Sequence, residues 1–504
     1  MSLRKLDMSR RTVLGGLGAV AFTSLFSGCG SGFEPGKNSE QALSEGDSAS
    51  GTSAEAAVAA ATGAVIQANV VVSTAKTGTI GTGFCGLSYE KSQMALPFFE
   101  SQNTRAVALF KRLGVGHLRI GGNAVDKTQW VANGRGQTAG QVAPSDVDAL
   151  ASFANATGWS VLYGVNLATS TPALAAAEVA YVAKALGSKL AGIEIGNEPD
   201  GYNGTYFKSG WSEAAFNTRW QQFASAILAQ SPNVALTGPG IGILGHVNSW
   251  IAPFAAAEGT QVKQLTQHYY IADGTSPAST MNVMLTPDPA LAIGLEQLQT
   301  LAAGYKVPFR MTETNSFYNG GKPGVSNAGG SALWALDYLF QLAEGGAAGA
   351  DFEGGGSFSK GYQPISDSSG LVLFAPQPMY YGMLLFTMAG PGTVLSTSLS
   401  AGSVKASAYT VENVRSGALS VVVINKDSSQ NLKLEINAGR KITKATSTVL
   451  TMPSLTSTSG ITIQGSGVGV DGSFSPQAAT ALTVSGNNTS VSVNAFSAAL
   501  IQIT

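Results

Sequence analysis

The sequence predicts an α/β protein: a TIM-type (β/α)8 barrel with a C-terminal antiparallel β-sandwich domain. Three observations carry that reading. Between residues 81 and 390, eight short, nearly all-apolar runs alternate with stretches of helical periodicity, the pattern of a parallel sheet covered on both faces. From residue 391 the helical signal largely disappears, and strand-like runs follow, separated by Ser, Gly and Asn turns. The composition, 504 residues with 44% hydrophobic, 12% charged and 62 glycines, supplies material for packed cores and excludes a disordered chain.

The first 29 residues read as an address rather than a fold. Arg10 and Arg11 precede an apolar stretch over 13–26, which resembles a twin-arginine export signal. The stretch ends in "FSGC", where Cys29 is a candidate for acylation at a lipoprotein processing site. A short signal or membrane anchor with an incidental cysteine is the alternative. Both readings take the protein out of the cytoplasm, to the periplasm or cell envelope, and a lipid on Cys29 would be its membrane contact. Residues 30–62, rich in Ser, Gly, Ala and Glu without periodicity, read as a flexible tether. The early strands in 63–80 need a partner sheet and are expected to join the sandwich.

Barrel strands are expected at "GFCGLSYE", "GVGHLRI", "SVLYGVNL", "LAGIEIG", "NVALTGP", "QLTQHYY", "VPFRMTE" and "GADFEG". Helices are expected among them at 104–113, 173–186, 213–229, 291–303, 330–344 and 378–389. Eight strand–helix units argue for a closed barrel. A doubly wound open sheet is the alternative, weakened because no Gly-rich phosphate turn follows the first strand. The sandwich, 391–504, takes "SVKASAYTVE", "ALSVVVINKD", "LKLEINAG", "ITKATSTVL" and "VSVNAFSAALIQIT", with 465–486 mostly loop.

Charge and metal-ligand residues exclude several functions. The 29 Lys and Arg face 30 Asp and Glu, and no basic run lies outside the N-terminus, so nucleic acid is not an expected partner. His117, His246 and His268 are too scattered, with two cysteines, to make a zinc site. No metal or cofactor is implied, and Cys85 is expected as a lone buried thiol.

Two acids carry the chemistry. Glu198 ends the fourth strand in "IEIGNEPDGY", and Glu313 ends the seventh in "FRMTETN". In a (β/α)8 barrel the strand ends share one mouth, so residues far apart in the chain face one cavity. Two carboxylates facing one cavity are what glycoside hydrolysis requires. Glu194, further back in the fourth strand, reads as a structural carboxylate paired inside the barrel.

The motifs "GLSYEKS", "LRIGGNAVD", "EIGNEPD", "QHYY", "TETNSFYNGGKPGVSN" and "DFEGGG" resemble glycoside hydrolase family 79, the family of β-glucuronidases and heparanase, and bacterial β-glucuronidases in particular. The resemblance runs from about residue 65 to the C-terminus. It implies that Glu198 is the acid/base and Glu313 the nucleophile. Asn197 is placed to donate its amide to a sugar hydroxyl beside the scissile bond. His268 and Tyr270 share a strand face, which the resemblance turns inward, so that Tyr270 can hydrogen-bond the nucleophile. His268 reads equally well as a satisfied core histidine.

The resemblance further implies that the loop after Glu313, with Tyr318, the Gly320 and Gly321 amides and Lys322, holds the carboxylate of a glucuronate. It also implies sugar contacts from Glu90, Asp126 and Tyr362; Glu90 and Asp126 read as loop-capping acids too. The sequence departs from the family at Gln267, where a second His is often found, and at Glu353, where a His is usual.

The expected activity is thus a retaining exo-β-glucuronidase acting on glucuronides or glucuronic-acid-containing oligosaccharides. An endo-acting hydrolase of heparanase type should show basic clusters, which this near-neutral chain lacks. A surface carbohydrate-binding protein without catalysis would need neither Glu198 nor Glu313.

Overall fold

The computed structural model describes residues 63–354, 361–366 and 374–504, so Arg10, Arg11 and Cys29 lie outside the described residues. Eight parallel strands close into a barrel: Cys85–Glu90, His117–Gly121, Ser160–Val165, Leu190–Ile195, Leu236–Ile241, Val262–Asp273, Phe309–Tyr318 and Ala350–Glu353. The order around the barrel is the order in the chain, and the eighth strand closes on the first with Ala350 opposite Cys85. These runs form strands because they are buried on both sides: every residue of Leu236–Ile241 and Ala350–Glu353 is buried.

Helices cover the outside, and their starts are marked by capping residues. Thr171 accepts a hydrogen bond from the Leu174 amide and precedes Pro172–Leu186. Ser212 does the same for Glu213–Gln230, and Asp288 for Pro289–Tyr305, each satisfying an amide the helix leaves unpaired. The helix Pro144–Thr157 follows the second strand, started by Pro144 and closed by Gly158 at φ 82°. Gly329–Glu344 and Pro378–Ala389 pack against one another so closely that a Cβ on Gly382 would sit 2.0 Å from the Ala332 carbonyl oxygen. Only glycine permits that approach.

The barrel interior is charged but paired. At its lower end Arg310 Nη2 holds Asp351 Oδ1 at 2.6 Å, with His117 Nδ1 3.0 Å from the same carboxylate. Nearer the mouth Arg119 holds Glu194 at 2.7 Å, which makes Glu194 a structural carboxylate. Cys85 is a buried free thiol whose pKa burial pushes up to about 12, so it is inert.

The second sheet has eleven strands and mixed direction. Its long first strand, Val65–Ile80, pairs antiparallel with Gly392–Ser400 and parallel with Asn431–Asn437. The sandwich is therefore not wholly antiparallel as expected. The chain passes through this sheet on its way into the barrel, and that direction of travel sets the one parallel pairing. Residues 465–486 include two short bridging strands, Thr480–Ala481 and Val484–Ser485. The sheet is fastened to the helix Gly329–Glu344 through Asp337, which accepts from Tyr409 Oη at 2.8 Å and Lys426 Nζ at 2.6 Å. Among the described residues no helix is long and apolar enough to cross a membrane.

Candidate active site

The fourth strand ends at Ile195, and the backbone then turns sharply through Gly196 at φ 88° and Glu198 at φ 49°, ψ 54°. A non-glycine residue in the left-handed region costs on the order of 1 to 2 kcal/mol. The Glu198 amide donates to Gly240 O at 2.9 Å, and Pro199 opens a short 3-10 turn, Pro199–Gly201, which together hold the strained residue in place. The turn brings the Glu198 carboxyl to the mouth, where its side chain remains 31% exposed. Glu313 comes from the seventh strand and is buried.

Glu198, Glu313 and the imidazole of His268 each offer an atom within 4.8 Å of the others. Among the described residues this is the one group with metal-like spacing. His268 Nδ1 lies 2.9 Å from Glu198 Oε1 and 3.9 Å from Glu313 Oε2, so the ring bridges the two acids. That is more than the role of a core histidine. Arg119 already supplies a fixed cation: its Nη1 donates to Glu313 Oε2 at 2.9 Å and its Nη2 to Asn197 Oδ1 at 2.8 Å. Tyr270 Oη donates to Glu313 Oε1 at 2.9 Å.

These partners drive the two acids apart in proton affinity. Burial raises the pKa of Glu198, and the charge of Glu313 adds to it against the hydrogen bond from His268. Burial alone would raise Glu313 too. The charges of His268 and Arg119 and the hydrogen bonds from Tyr270 and Arg119 outweigh it and hold that carboxylate below its ordinary range. Burial would lower His268, but Glu313 and then Glu198 raise it. The site thus pushes Glu198 toward the protonated form and Glu313 toward the anion.

Around this pair the other sequence-predicted residues fall into distinct roles. Asn197 is fixed by Arg119 on its carbonyl oxygen, which leaves its amide nitrogen as the donor. Glu90 stands at the end of the first strand and accepts from the Ala124 amide at 2.7 Å. Burial, with Glu313 nearby, pushes its pKa up to about 7. Asp126 is 1% exposed. Its Oδ1 accepts the Leu167 and Ala168 amides, and its Oδ2 accepts the Asn197 amide and the Tyr202 hydroxyl. With these four contacts Asp126 caps the loops behind the site, the second of the two roles expected for it.

Tyr362 packs its ring 6.3 Å from that of Tyr270, and Tyr318 stands edge-on to Tyr270 at 6.4 Å with 44% exposure. Asn319, Gly320 and Gly321 follow with φ of 61°, 82° and 86°. Lys322 donates from Nζ to Ser276 O at 3.0 Å, which fixes it on the loop and leaves two of its three donors. Gln267 spends its amide on the Ile241 and His268 carbonyls. Glu353 accepts from Ser88 Oγ at 2.9 Å, and burial, then the charges of Glu313 and Glu90, raise its pKa well above the ordinary range.

Arg119 has no role in the sequence reading, although it joins four groups of the site. Its one signal was a cation inside the otherwise apolar run "HLRIG". Two open surface clefts, of about 500 Å³ beside Glu100, Arg135 and Asp146 and about 300 Å³ beside Lys433 and Ser447, are lined by none of these residues.

No family model matches the chain. The β-glucuronidase of Aspergillus niger is 26% identical to it over 304 residues, 53% of this chain and 56% of the relative. That of Neurospora crassa is 30% identical over 228 residues, 40% of each, and mouse heparanase is 28% identical over 275 residues, 50% and 48%. The chain thus spans about half the length of the curated relatives it matches. Among solved structures, a 4-O-α-L-rhamnosyl-β-D-glucuronidase from Fusarium oxysporum superposes with TM-score 0.73 at 20% identity, over 86% of this chain and 100% of that chain. An arabinofuranosidase of glycoside hydrolase family 51 from Xanthomonas axonopodis pv. citri gives 0.63 at 14% identity, over 87% and 100%. At those identities the structures speak for the fold, and the sequence matches make the chain similar to the β-glucuronidases and heparanase of glycoside hydrolase family 79.

Proposed function

We propose that this protein is a retaining exo-β-glucuronidase. The observation that carries the reading is the carboxyl pair itself: Glu198 and Glu313 have oxygens within 4.8 Å, with the pKa of Glu198 pushed up and that of Glu313 pushed down. Retaining glycosidases use carboxyls about 5 to 5.5 Å apart, whereas inversion needs about 6.5 to 9.5 Å to admit a water between them.

The steps follow from the geometry. A Glu313 carboxylate oxygen attacks the anomeric carbon as the bond from that carbon to the leaving oxygen breaks, and Glu198 gives its proton to that oxygen. Glu198, now an anion, takes a proton from water, whose oxygen attacks the same carbon and frees Glu313. Arg119 and Tyr270 keep Glu313 ionised and aimed. Asn197 donates to the sugar hydroxyl beside the reacting carbon.

The glucuronate assignment rests on the loop carrying Tyr318, Gly320, Gly321 and Lys322, which offers donors to a carboxylate, and on the relatives' names. Heparanase among the relatives keeps endo action as a second reading, which the near-neutral balance of 29 basic against 30 acidic residues does not favour. Release of p-nitrophenol from the glucuronide, compared with the glucoside, galactoside and xyloside, tests the assignment. Glucuronide should lead by orders of magnitude, and equal rates would refute it. Export rests on Arg10, Arg11 and Cys29. Replacing both arginines with lysine should strand precursor in the cytoplasm, and Cys29→Ser should release the protein from membranes.

A further inference from the structure

The loop that follows the fifth barrel strand lies directly against the acid/base. A Cβ on Gly242 would sit 2.8 Å from the Glu198 carboxyl carbon, so the loop closes on that side chain and a larger residue there would push the carboxyl aside. Asp200, two residues past Glu198, fixes the loop's path. Its Oδ1 accepts the Gly242 amide at 2.9 Å, and its Oδ2 accepts the Ile243 amide at 3.1 Å and stands 2.9 Å from His246 Nδ1.

Two side chains held this way stand unengaged at the rim. Ile243 is 42% exposed, and the His246 side chain is 35% exposed, with no hydrogen bond from its Nε2 among the described residues. The Glu198 carboxyl also meets His268 Nδ1 at 2.9 Å, and that nitrogen lies 3.9 Å from Glu313; the glycosidase reading puts the sugar being cleaved on that side, over Glu313.

We propose that Ile243 and His246 form the leaving-group subsite and seat a hydroxylated ring, a second sugar. The inference rests on the glycosidase reading, because an acid/base carboxyl must reach the leaving oxygen and whatever that oxygen carries then extends over the free flank. An exposed aliphatic side chain matches the C–H face of a pyranose. With Nδ1 on Asp200, a neutral His246 presents Nε2 as an acceptor and a protonated one presents it as a donor. A sugar hydroxyl pairs with either form. A carboxylate pairs only with the second. The hydrogen bond to Asp200 raises the His246 pKa, which extends the donor form upward in pH.

The test uses two substrates of the full-length protein: glucuronic acid β-linked to a neutral sugar, and β-glucuronyl fluoride, whose leaving group is too small to reach the loop. Ile243→Ser, which leaves the Asp200 contacts in place, and His246→Ala should each lower kcat/KM for the disaccharide by about 3- to 10-fold, as loss of one hydrogen bond or a comparable contact does. Turnover of the fluoride should change by less than about twofold, within the reach of indirect effects. Equal losses on both substrates would make the loop a support for Glu198, and an unchanged disaccharide rate would remove the subsite altogether. A parent protein inactive on both substrates would instead sink the glucuronidase reading, and the subsite with it.

Discussion

Arg119 Nη1 stands 2.9 Å from Glu313 Oε2 while its Nε holds Glu194 at 2.7 Å, so one buried guanidinium joins the nucleophile to the barrel interior. Removing the guanidinium outright would take the shared cation from two buried carboxylates, a change that typically costs about 3 to 5 kcal/mol. Arg119→Lys keeps the charge but cannot reproduce the fork of donors. The lysine enzyme should fold and lose roughly 10- to 150-fold in kcat/KM, the equivalent of one charge-assisted hydrogen bond. Full activity in that variant, by steady-state assay on p-nitrophenyl glucuronide, would show that Tyr270 and His268 suffice.

Activity should follow a bell in pH. The acid limb marks protonation of Glu313, held low, and the alkaline limb marks loss of the proton from Glu198, held high. His268 lowers both groups, Glu313 through its charge and Glu198 through its hydrogen bond. His268→Ala should therefore move both limbs to higher pH. A kcat/KM profile with unmoved limbs, or limbs moved to acid, would remove His268 from the electrostatic account.

Glu353 should make stability depend on pH. Its folded pKa is raised, so the favourable neutral form contributes fully below the unfolded value, about 4.3. As pH rises past that value the unfolded chain gives up its proton before the folded one does, and stability falls until the folded pKa is passed. Glu353→Gln, which imitates the neutral carboxyl, should match the parent near pH 4 and melt higher than it near pH 7. Melting temperatures that differ equally at both pH values would mean that the carboxyl is already ionised in the fold.

The loop after Glu313 should separate uronates from neutral sugars. A carboxylate taken from water needs donors that a CH2OH group does not. Tyr318→Phe and Lys322→Ala should each cut kcat/KM for p-nitrophenyl glucuronide by roughly 10- to 150-fold. The slow rate on the matching xyloside should scarcely change. Because Lys322 also pins the loop through Ser276, equal losses on both substrates would assign it to positioning instead.

Much of the barrel was legible because its strands are short, nearly continuous apolar runs, and because strand-end acids such as Glu198 stand out against them. The helix Pro144–Thr157 was not, since Ala, Ser, Asn and Asp dilute its apolar face. The network of Arg119 was hidden for a different reason. Its partners Ser88, Glu194, Asn197 and Glu313 come from the first, fourth and seventh strands and the turn after the fourth, and only barrel closure brings them together. The partners of Asp126 were hidden in the same way: the acid after the second strand accepts from the Leu167 amide and the Tyr202 hydroxyl, residues of other loops. The parallel place of Val65–Ile80 beside Asn431–Asn437 is equally a fact of three dimensions.

The central claim is that Glu313 attacks the sugar while Glu198 supplies and then recovers the proton. Mutant rescue divides the roles. Glu313→Ala should be almost inactive and give an inverted glycosyl azide when azide is added, and Glu198→Ala should give an azide of retained configuration from a substrate with a good leaving group.

The most direct measurement is the anomeric configuration of the first product released by the unaltered enzyme, followed by proton NMR on p-nitrophenyl β-glucuronide before mutarotation sets in. Carboxyl oxygens within 4.8 Å predict that β-glucuronic acid appears first and the α-anomer only later, by mutarotation. If α-glucuronic acid appeared first, water would be attacking the sugar directly, and the double displacement through Glu313 would be wrong.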